Sequence, residues 1–139
     1  MMQVHKILAT AVVLLSSNAA LAQENELTIG KSSFGARCAS CHGVDGKGGG
    51  EIADLFRIPP TDLTTLAERA GGSFPFVDIY YTLARGMEQP GHGDSEMPVW
   101  GDYFVADSLA DRGVTPGEAI AIAAGRAMSL TLYIESIQE

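Results

Sequence analysis

Residues 38–42 read Cys38-Ala39-Ser40-Cys41-His42, two thiols three positions apart followed directly by an imidazole. A C-x-x-C-H run is the signature for covalent attachment of c-type haem. The two thiols can reach the two vinyl groups along one edge of a porphyrin, and the next side chain then lies under the ring toward the iron. The run therefore predicts thioether bonds at Cys38 and Cys41, with His42 as the proximal axial ligand.

Other uses of this cysteine pair fit the sequence less well. A structural zinc site commonly takes four ligands, and Cys38 and Cys41 are the only cysteines in the chain. A thioredoxin-like redox pair would begin a helix within alternating strands and helices, and no such strand pattern surrounds the run. A plain disulfide between Cys38 and Cys41 is the remaining alternative.

The first 22 residues have the composition of an export signal. His5 and Lys6 make a weakly basic start, residues 7–15 are apolar, and residues 20–22 form a small-x-small cleavage site. We expect a secretory signal peptide over residues 1–22, cleaved after Ala22, and therefore a periplasmic protein. The apolar run is too short for a permanent membrane anchor, so no stable membrane insertion is expected.

Residues 23–139 are predicted to form a single domain with one core. Removal of residues 1–22 takes away Lys6 but none of the 17 acidic residues, so the remaining chain is more negative than the −8 of the full sequence. Such a surface repels nucleic acid and anionic lipid. It favours redox protein partners with a basic docking surface, although the same charge could serve only to keep the protein soluble.

Two helices are predicted near the ends of this domain. Residues 29–38 form the first, in which Gly30 and Phe34 share a face. Thr115 and Glu118 indicate a capping box with proline at the first helical position, and a helix to about Gln138 follows. Its predicted apolar side consists of Ile120, Ala123, Ala124, Ala127, Leu130, Tyr133, Ile134 and Ile137.

Glycine and proline divide the chain between these two helices. Thr65 and Glu68 suggest a second capping box, for a short helix over residues 65–70. A further helix is predicted from about Pro75 to Gly86, with an apolar stripe at Phe76, Ile79, Tyr80 and Leu83. The glycine-rich stretch after His42 indicates a tight turn, and Val99 to Thr115 is interpreted as a long connection. With no strand pattern, the fold class is all-α.

In the order of its motifs the chain resembles the class I c-type cytochromes of bacteria, which carry one haem. In that family the first and last helices cross tightly, a glycine allows their close approach, and aromatic side chains fill the joint. The resemblance implies a cytochrome c-like fold, with crossed N- and C-terminal helices and shorter helices and loops wrapped around one covalent haem. The motifs that carry it are Gly30 and Phe34, CASCHGVDGKG, Ile58-Pro59-Pro60, Met97-Pro98, and Leu130 with Tyr133.

Four side chains after His42 could complete the coordination of the iron: Met87, His92, Met97 and Met128. Met97 fits best, because it lies in a glycine-rich segment next to proline and because Met-Pro is how the family presents this ligand. A thioether ligand favours ferrous iron and raises the reduction potential, whereas His92 would lower it. Met87 and Met128 are interpreted as packing residues.

Further haem contacts are suggested around the predicted iron site. The resemblance implies that the carbonyl of Pro59 or Pro60 accepts the remaining ring N–H of His42, which would fix its tautomer. Arg57 and Arg85 could bind haem propionates, or could be ordinary surface cations. Trp100 could pack at the haem edge and donate its indole N–H to a propionate, or could be an ordinary core aromatic.

The sequence is therefore interpreted as a periplasmic one-electron carrier that is not an enzyme in its own right. It contains a single haem motif, and it offers no copper-ligand cluster and no nucleophile paired with a base. We expect a monomer or a subunit of a redox complex. Two alternatives stay open, a cytochrome subunit of a periplasmic dehydrogenase or oxidase, and an open-site cytochrome that binds nitric oxide or carbon monoxide.

Overall fold

The computed structural model describes residues 25–85, 98–111 and 113–139. The predicted export signal at 1–22 and the candidate ligands Met87, His92 and Met97 lie outside these ranges. Within them the chain is helical and contains no strand, which confirms the all-α prediction. The elements in chain order are α1 (25–37), α2 (Ala39–His42), a 3-10 turn (Ala53–Leu55), α3 (Leu66–Arg69), α4 (Phe76–Arg85), α5 (Trp100–Leu109) and α6 (Pro116–Ser136).

Helices α1 and α6 are in close contact at Gly30. A Cβ atom on Gly30 would clash with the carbonyl oxygen of Ser129 and would lie 2.8 Å from Cβ of Tyr133. One turn further along α1, the ring of Phe34 is 2% exposed and its centroid lies 5.3 Å from that of Tyr133. Leu130 is fully buried beside them. The predicted crossing of the first and last helices is confirmed.

Helix α6 begins as the capping pattern predicts. The Thr115 hydroxyl accepts a hydrogen bond from the Glu118 N–H at 3.4 Å, and the Glu118 carboxylate accepts one from the Thr115 N–H at 2.8 Å. The prediction placed Ile120 and Ala124 on the buried side, and both are exposed, Ile120 by 61%. The buried side of α6 is instead rich in alanine, which allows close packing against α4 and α5. Its buried apolar residues are Ala119, Ala123, Ala127, Leu130 and Ile134.

Helix α5 occupies the stretch that was expected to be a long connection. It is stabilised by tertiary contacts, because it packs against α4 and α6 and buries Phe104 and Ser108, which lie one turn apart. Within the helix, the Ser108 hydroxyl donates to the Phe104 carbonyl at 2.7 Å. At Gly101 the helix approaches α4 so closely that a Cβ atom would clash with the carbonyl oxygen of Ala84. The first helix also differs from its predicted range, since α1 covers residues 25–37 and Cys38 lies in a turn.

The predicted capping box at Thr65 is wrong, because no side chain of α3 caps its own start. The N–H of Ala67, at the second position of α3, instead donates to Oε1 of Gln138 at 2.9 Å. Helix α4 lies where it was predicted, and its residue Leu83 is buried in the core with Ile79 and Tyr80 packed beside it. No helix in the described ranges is long and apolar enough to cross a membrane.

A charged cluster joins α1, α5 and α6 at the surface. The Asp107 carboxylate lies 2.5 Å from Nη1 of Arg126 and 3.5 Å from Nη2 of Arg37. Arg37 also donates to the Tyr103 hydroxyl at 2.7 Å. The hydrogen bond from Arg126 is the main reason that the pKa of Asp107 lies below its ordinary value. Because Arg37 immediately precedes Cys38, this cluster holds the end of α1 that leads into the predicted haem motif.

The helix crossing can be tested with two glycines of the same helix. Gly30→Ala is expected to lower the free energy of unfolding by about 1–3 kcal/mol, because the added methyl group forces the backbones of α1 and α6 apart. Gly35 lies on the exposed side of α1 with no atom near its missing Cβ. Gly35→Ala is therefore expected to be neutral or to stabilise by about 0.4–1 kcal/mol. Chemical denaturation followed by circular dichroism measures both, and equal effects of the two substitutions would contradict the crossing.

Candidate functional site

The Cys38–His42 segment forms one tight helical turn. The N–H of His42 donates to the Cys38 carbonyl at 2.9 Å, and the N–H of Gly43 donates to the Ala39 carbonyl at 2.9 Å. Gly43 then ends the turn with a φ of 80°, a conformation that favours glycine. The turn follows α1 directly, so the helix crossing at Gly30 also positions the thiols and the imidazole.

Cys38 and Cys41 are both free thiols in this structure, which does not contain the disulfide considered as an alternative. Cys38 is 6% exposed, and Cys41 is partly exposed. Burial, helped by the neighbouring Cys41, raises the pKa of the Cys38 thiol to about 12. A thiol held neutral at physiological pH is a poor nucleophile, so Cys38 does not suit attack on a disulfide.

His42 is buried, with 7% of its surface exposed, and its Nδ1 lies 2.9 Å from the carbonyl oxygen of Thr61. Because a carbonyl can only accept, Nδ1 carries a proton, and in the neutral ring Nε2 therefore keeps a lone pair. Burial also lowers the pKa of His42, against the opposing effect of the Thr61 carbonyl, and this favours the neutral ring. A neutral imidazole with a free Nε2 is the form that binds a metal ion.

The identity of this carbonyl corrects the sequence prediction, which placed it on Pro59 or Pro60. The Pro60 carbonyl faces Gly48 instead, and a Cβ atom on Gly48 would clash with it. The chain therefore reaches His42 one residue later, at Thr61. No local sequence signal distinguishes Thr61 from its two predecessors, because the choice depends on contact with the glycine-rich turn.

That glycine-rich turn, residues 43–50, packs against the segment around Thr61. The N–H of Gly48 donates to the His42 carbonyl at 2.7 Å, and the carbonyl of Gly46 accepts from the N–H of Leu63 at 2.7 Å. Both glycines have positive φ angles. The stretch therefore forms the tight turn that was predicted beside the site.

Trp100, at the start of α5, packs against the core cluster that includes Cys38. Its ring centroid lies 5.9 Å from that of Phe104. Its indole Nε1 is buried, and no acceptor for this N–H lies within the part of the chain that the structure describes. A buried donor without a partner costs roughly 1–3 kcal/mol, so an acceptor oxygen on a bound group would be favourable at this position.

The two arginines proposed as propionate ligands are both exposed. The guanidinium of Arg85 lies 4.6 Å from the ring centroid of Tyr81, in a cation–π contact on α4. Arg57 lies just after the 3-10 turn, near Pro59 and the partly buried Pro60. The structure thus brings together the thiols, His42 and the loop containing Thr61, while haem contacts of Arg57, Arg85, Pro59 and Pro60 stay predictions.

Comparison with protein-family models gave a match to the cytochrome c family over residues 27–124, more than half of the chain. The matched range includes the Cys38–His42 turn, the Thr61 segment and Trp100. Searches of curated proteins and of solved structures each gave no match.

The residues at this site fit the covalent c-type haem of that family. Two free thiols have the spacing of a C-x-x-C-H motif, and the imidazole next to them uses Nδ1 for the Thr61 carbonyl, which leaves Nε2 for a metal ion. A buried indole N–H that lacks an acceptor would complement an oxygen of the bound group. The cofactor is therefore covalently bound c-type haem.

Covalent attachment can be measured by intact mass spectrometry of denatured protein produced with a c-haem maturation system. The wild-type chain is expected to keep the mass of one haem, and the double substitution Cys38→Ser with Cys41→Ser is expected to lose it. Ser40→Ala, an exposed change within the same turn, is the control and should keep the haem. A double variant that retained the haem mass would show that attachment occurs elsewhere.

Proposed function

The chain belongs to the cytochrome c family, and we propose that it is a periplasmic one-electron carrier in which His42 and Met97 are the axial ligands of the haem iron. The observation that carries this proposal is the state of His42. Its imidazole is buried, which lowers the pKa of His42 and favours the neutral ring, and the Thr61 carbonyl keeps the proton on Nδ1. The ring therefore already has the tautomer that can bind iron through Nε2.

The haem supplies an iron centre that gains and loses one electron. The protein residues hold this centre in one geometry: the thioethers of Cys38 and Cys41 fix the porphyrin edge, and the buried turn fixes His42. A retained thioether ligand from Met97 would favour the ferrous state and raise the reduction potential. A coordination sphere that does not change between the two oxidation states suits rapid electron exchange better than substrate binding.

Trp100 is proposed to bind a haem propionate. Its indole N–H is buried without an acceptor among the described residues, and its ring packs against the cluster that contains Cys38. A hydrogen bond to a carboxylate is worth roughly 1.5–3 kcal/mol, more than one between neutral groups. Arg57 and Arg85 are exposed and could add ion pairs with a propionate, which would be weaker because water screens them.

The export signal and the charge of the chain support a periplasmic role with basic partners. Residues 1–22 have the pattern of a cleaved signal peptide, which leaves a single domain over residues 23–139. The chain carries 17 acidic and 9 basic residues, so its field attracts a partner with a basic docking surface. A redox partner of this kind could be a freely diffusing protein or the catalytic chain of a larger complex.

The proposed iron ligand Met97 can be tested by visible spectroscopy of ferric protein. The wild type is expected to show the weak far-red band of sulfur bound to ferric iron, and Met97→Ala is expected to lose it. Met128→Ala is the matched control, because Met128 lies on α6 and is 39% exposed. If the wild type lacks the band, Met97 is not a ligand. Loss of the low-spin spectrum in His92→Ala would then identify bis-histidine ligation. Carbon monoxide binding by the wild type would instead identify an open site.

The role of Trp100 can be tested without changing the shape of the ring. Trp100 is the only tryptophan, so growth of an auxotroph on benzothienylalanine replaces its N–H with sulfur at this one position. If a propionate accepts the N–H, the free energy of unfolding of the haem-loaded protein should fall by about 1.5–3 kcal/mol. Unchanged or increased stability would contradict the proposal, because an unpaired buried N–H is unfavourable in the native protein.

A further inference from the structure

The residues that follow α6 bind the segment that contains Thr61. We call residues 61–64 the ligand loop, because the Thr61 carbonyl accepts the Nδ1 proton of His42. Nε2 of Gln138 donates to the Leu63 carbonyl at 2.7 Å, and the N–H of Glu139 donates to the Thr64 carbonyl at 2.9 Å. Two adjacent carbonyls of the ligand loop are therefore bound by residues more than seventy positions away in the sequence.

The Gln138 side chain uses both of its amide hydrogens and one of the two lone pairs of Oε1 in hydrogen bonds. Nε2 donates its second hydrogen to the Ile134 carbonyl at 2.7 Å, and Oε1 accepts from the N–H of Ala67 at 2.9 Å. One amide thus joins the last turn of α6, the ligand loop and the first turn of α3. An arrangement that satisfies both amide hydrogens also fixes the orientation of the side chain, so the loop has little freedom to move relative to α6.

The ligand loop is rigid within itself and is tied directly to the haem motif. Thr64 is 2% exposed, and its N–H and hydroxyl both donate to the Asp62 carboxylate, at 2.8 Å and 2.7 Å. On the other side, the N–H of Leu63 donates to the carbonyl of Gly46, in the turn that follows His42. A displacement of the loop at Leu63 would therefore be transmitted to Thr61 and to its hydrogen bond with His42.

We propose that Gln138 is a positioning residue for the proximal ligand, which holds the Thr61 carbonyl against Nδ1 of His42 and thereby lowers the reduction potential. This inference rests on the proposed function, in which His42 binds the iron. A carbonyl that accepts the Nδ1 proton makes the imidazole a more basic ligand. A more basic ligand stabilises ferric iron relative to ferrous iron, so a looser ligand loop raises the potential.

The ion pair between Lys47 and Glu139 provides a control at the same place. Nζ of Lys47 lies 2.5 Å from Oε1 of Glu139, but both side chains are largely exposed. Exposed ion pairs contribute little to stability. Glu139→Gln removes this ion pair and leaves the backbone hydrogen bond from Glu139 to Thr64 unchanged. It therefore changes the surface next to Gln138 without changing how the ligand loop is held.

The experiment compares Gln138→Met with Glu139→Gln in the haem-loaded protein. Methionine matches glutamine in length and charge but makes none of the three hydrogen bonds. We expect Gln138→Met to shift the reduction potential to more positive values and to speed exchange of the His42 Nδ1 proton, measured by NMR of ferrous protein, by about tenfold. Glu139→Gln should leave the exchange rate unchanged. If Gln138→Met does not fold, Gln138→Asn, whose shorter amide cannot reach Leu63, serves the same purpose.

The outcomes separate this inference from the function on which it rests. A lower melting temperature with an unchanged potential and unchanged proton exchange would show that Gln138 is only structural, and would overturn the inference while leaving His42 as ligand. The wild-type NMR spectrum tests the function itself. If the His42 ring protons lack the large shifts caused by a bound haem, His42 is not the ligand, and both proposals are wrong.

Discussion

The hydrogen bond from Nδ1 of His42 to the Thr61 carbonyl is the interaction on which the site depends. It selects one tautomer of a buried, neutral imidazole and so leaves Nε2 available to iron. The glycine-rich turn after His42 packs closely against the segment that contains Thr61, through Gly46 and Gly48, and so holds this carbonyl beside His42. The tautomer of His42 therefore depends on how the backbone of the glycine-rich turn packs against the ligand loop.

The same constraint extends to the helices. Gly30 lets α1 approach α6, and Phe34 and Tyr133 fill the joint, so the turn that begins at Cys38 starts from a fixed position. The far end of α6 then returns to the ligand loop through Gln138. One long helix thus supports the haem motif at two places, once through α1 and once through the loop that binds His42. This arrangement would keep the predicted metal ligand in place while the charge of the iron changes.

The sequence predicted the features that depend on local chemistry or on a specific motif. The Cys38–His42 run predicted a covalent haem, with which the family match agrees, Thr115 and Glu118 form the predicted capping box, and Gly30 lies at the helix crossing. The errors concern contacts between distant parts of the chain. Helix α5 is stabilised by packing against α4 and α6, α3 is capped by Gln138 instead of by Thr65, and the carbonyl at His42 belongs to Thr61. None of these partners is adjacent in the sequence, so periodicity and capping patterns could not identify them.

The central claim is that one electron is transferred at an iron that keeps both of its axial ligands. A spectroelectrochemical titration of the wild-type protein tests this claim most directly. The account predicts a single reversible one-electron transition, with six-coordinate low-spin spectra in both the ferric and the ferrous state. A ferrous spectrum of high-spin, five-coordinate iron would contradict it, as would oxidative and reductive titrations that do not coincide. Either result would mean that a ligand leaves the iron during the redox cycle, as in a protein that binds a small gas.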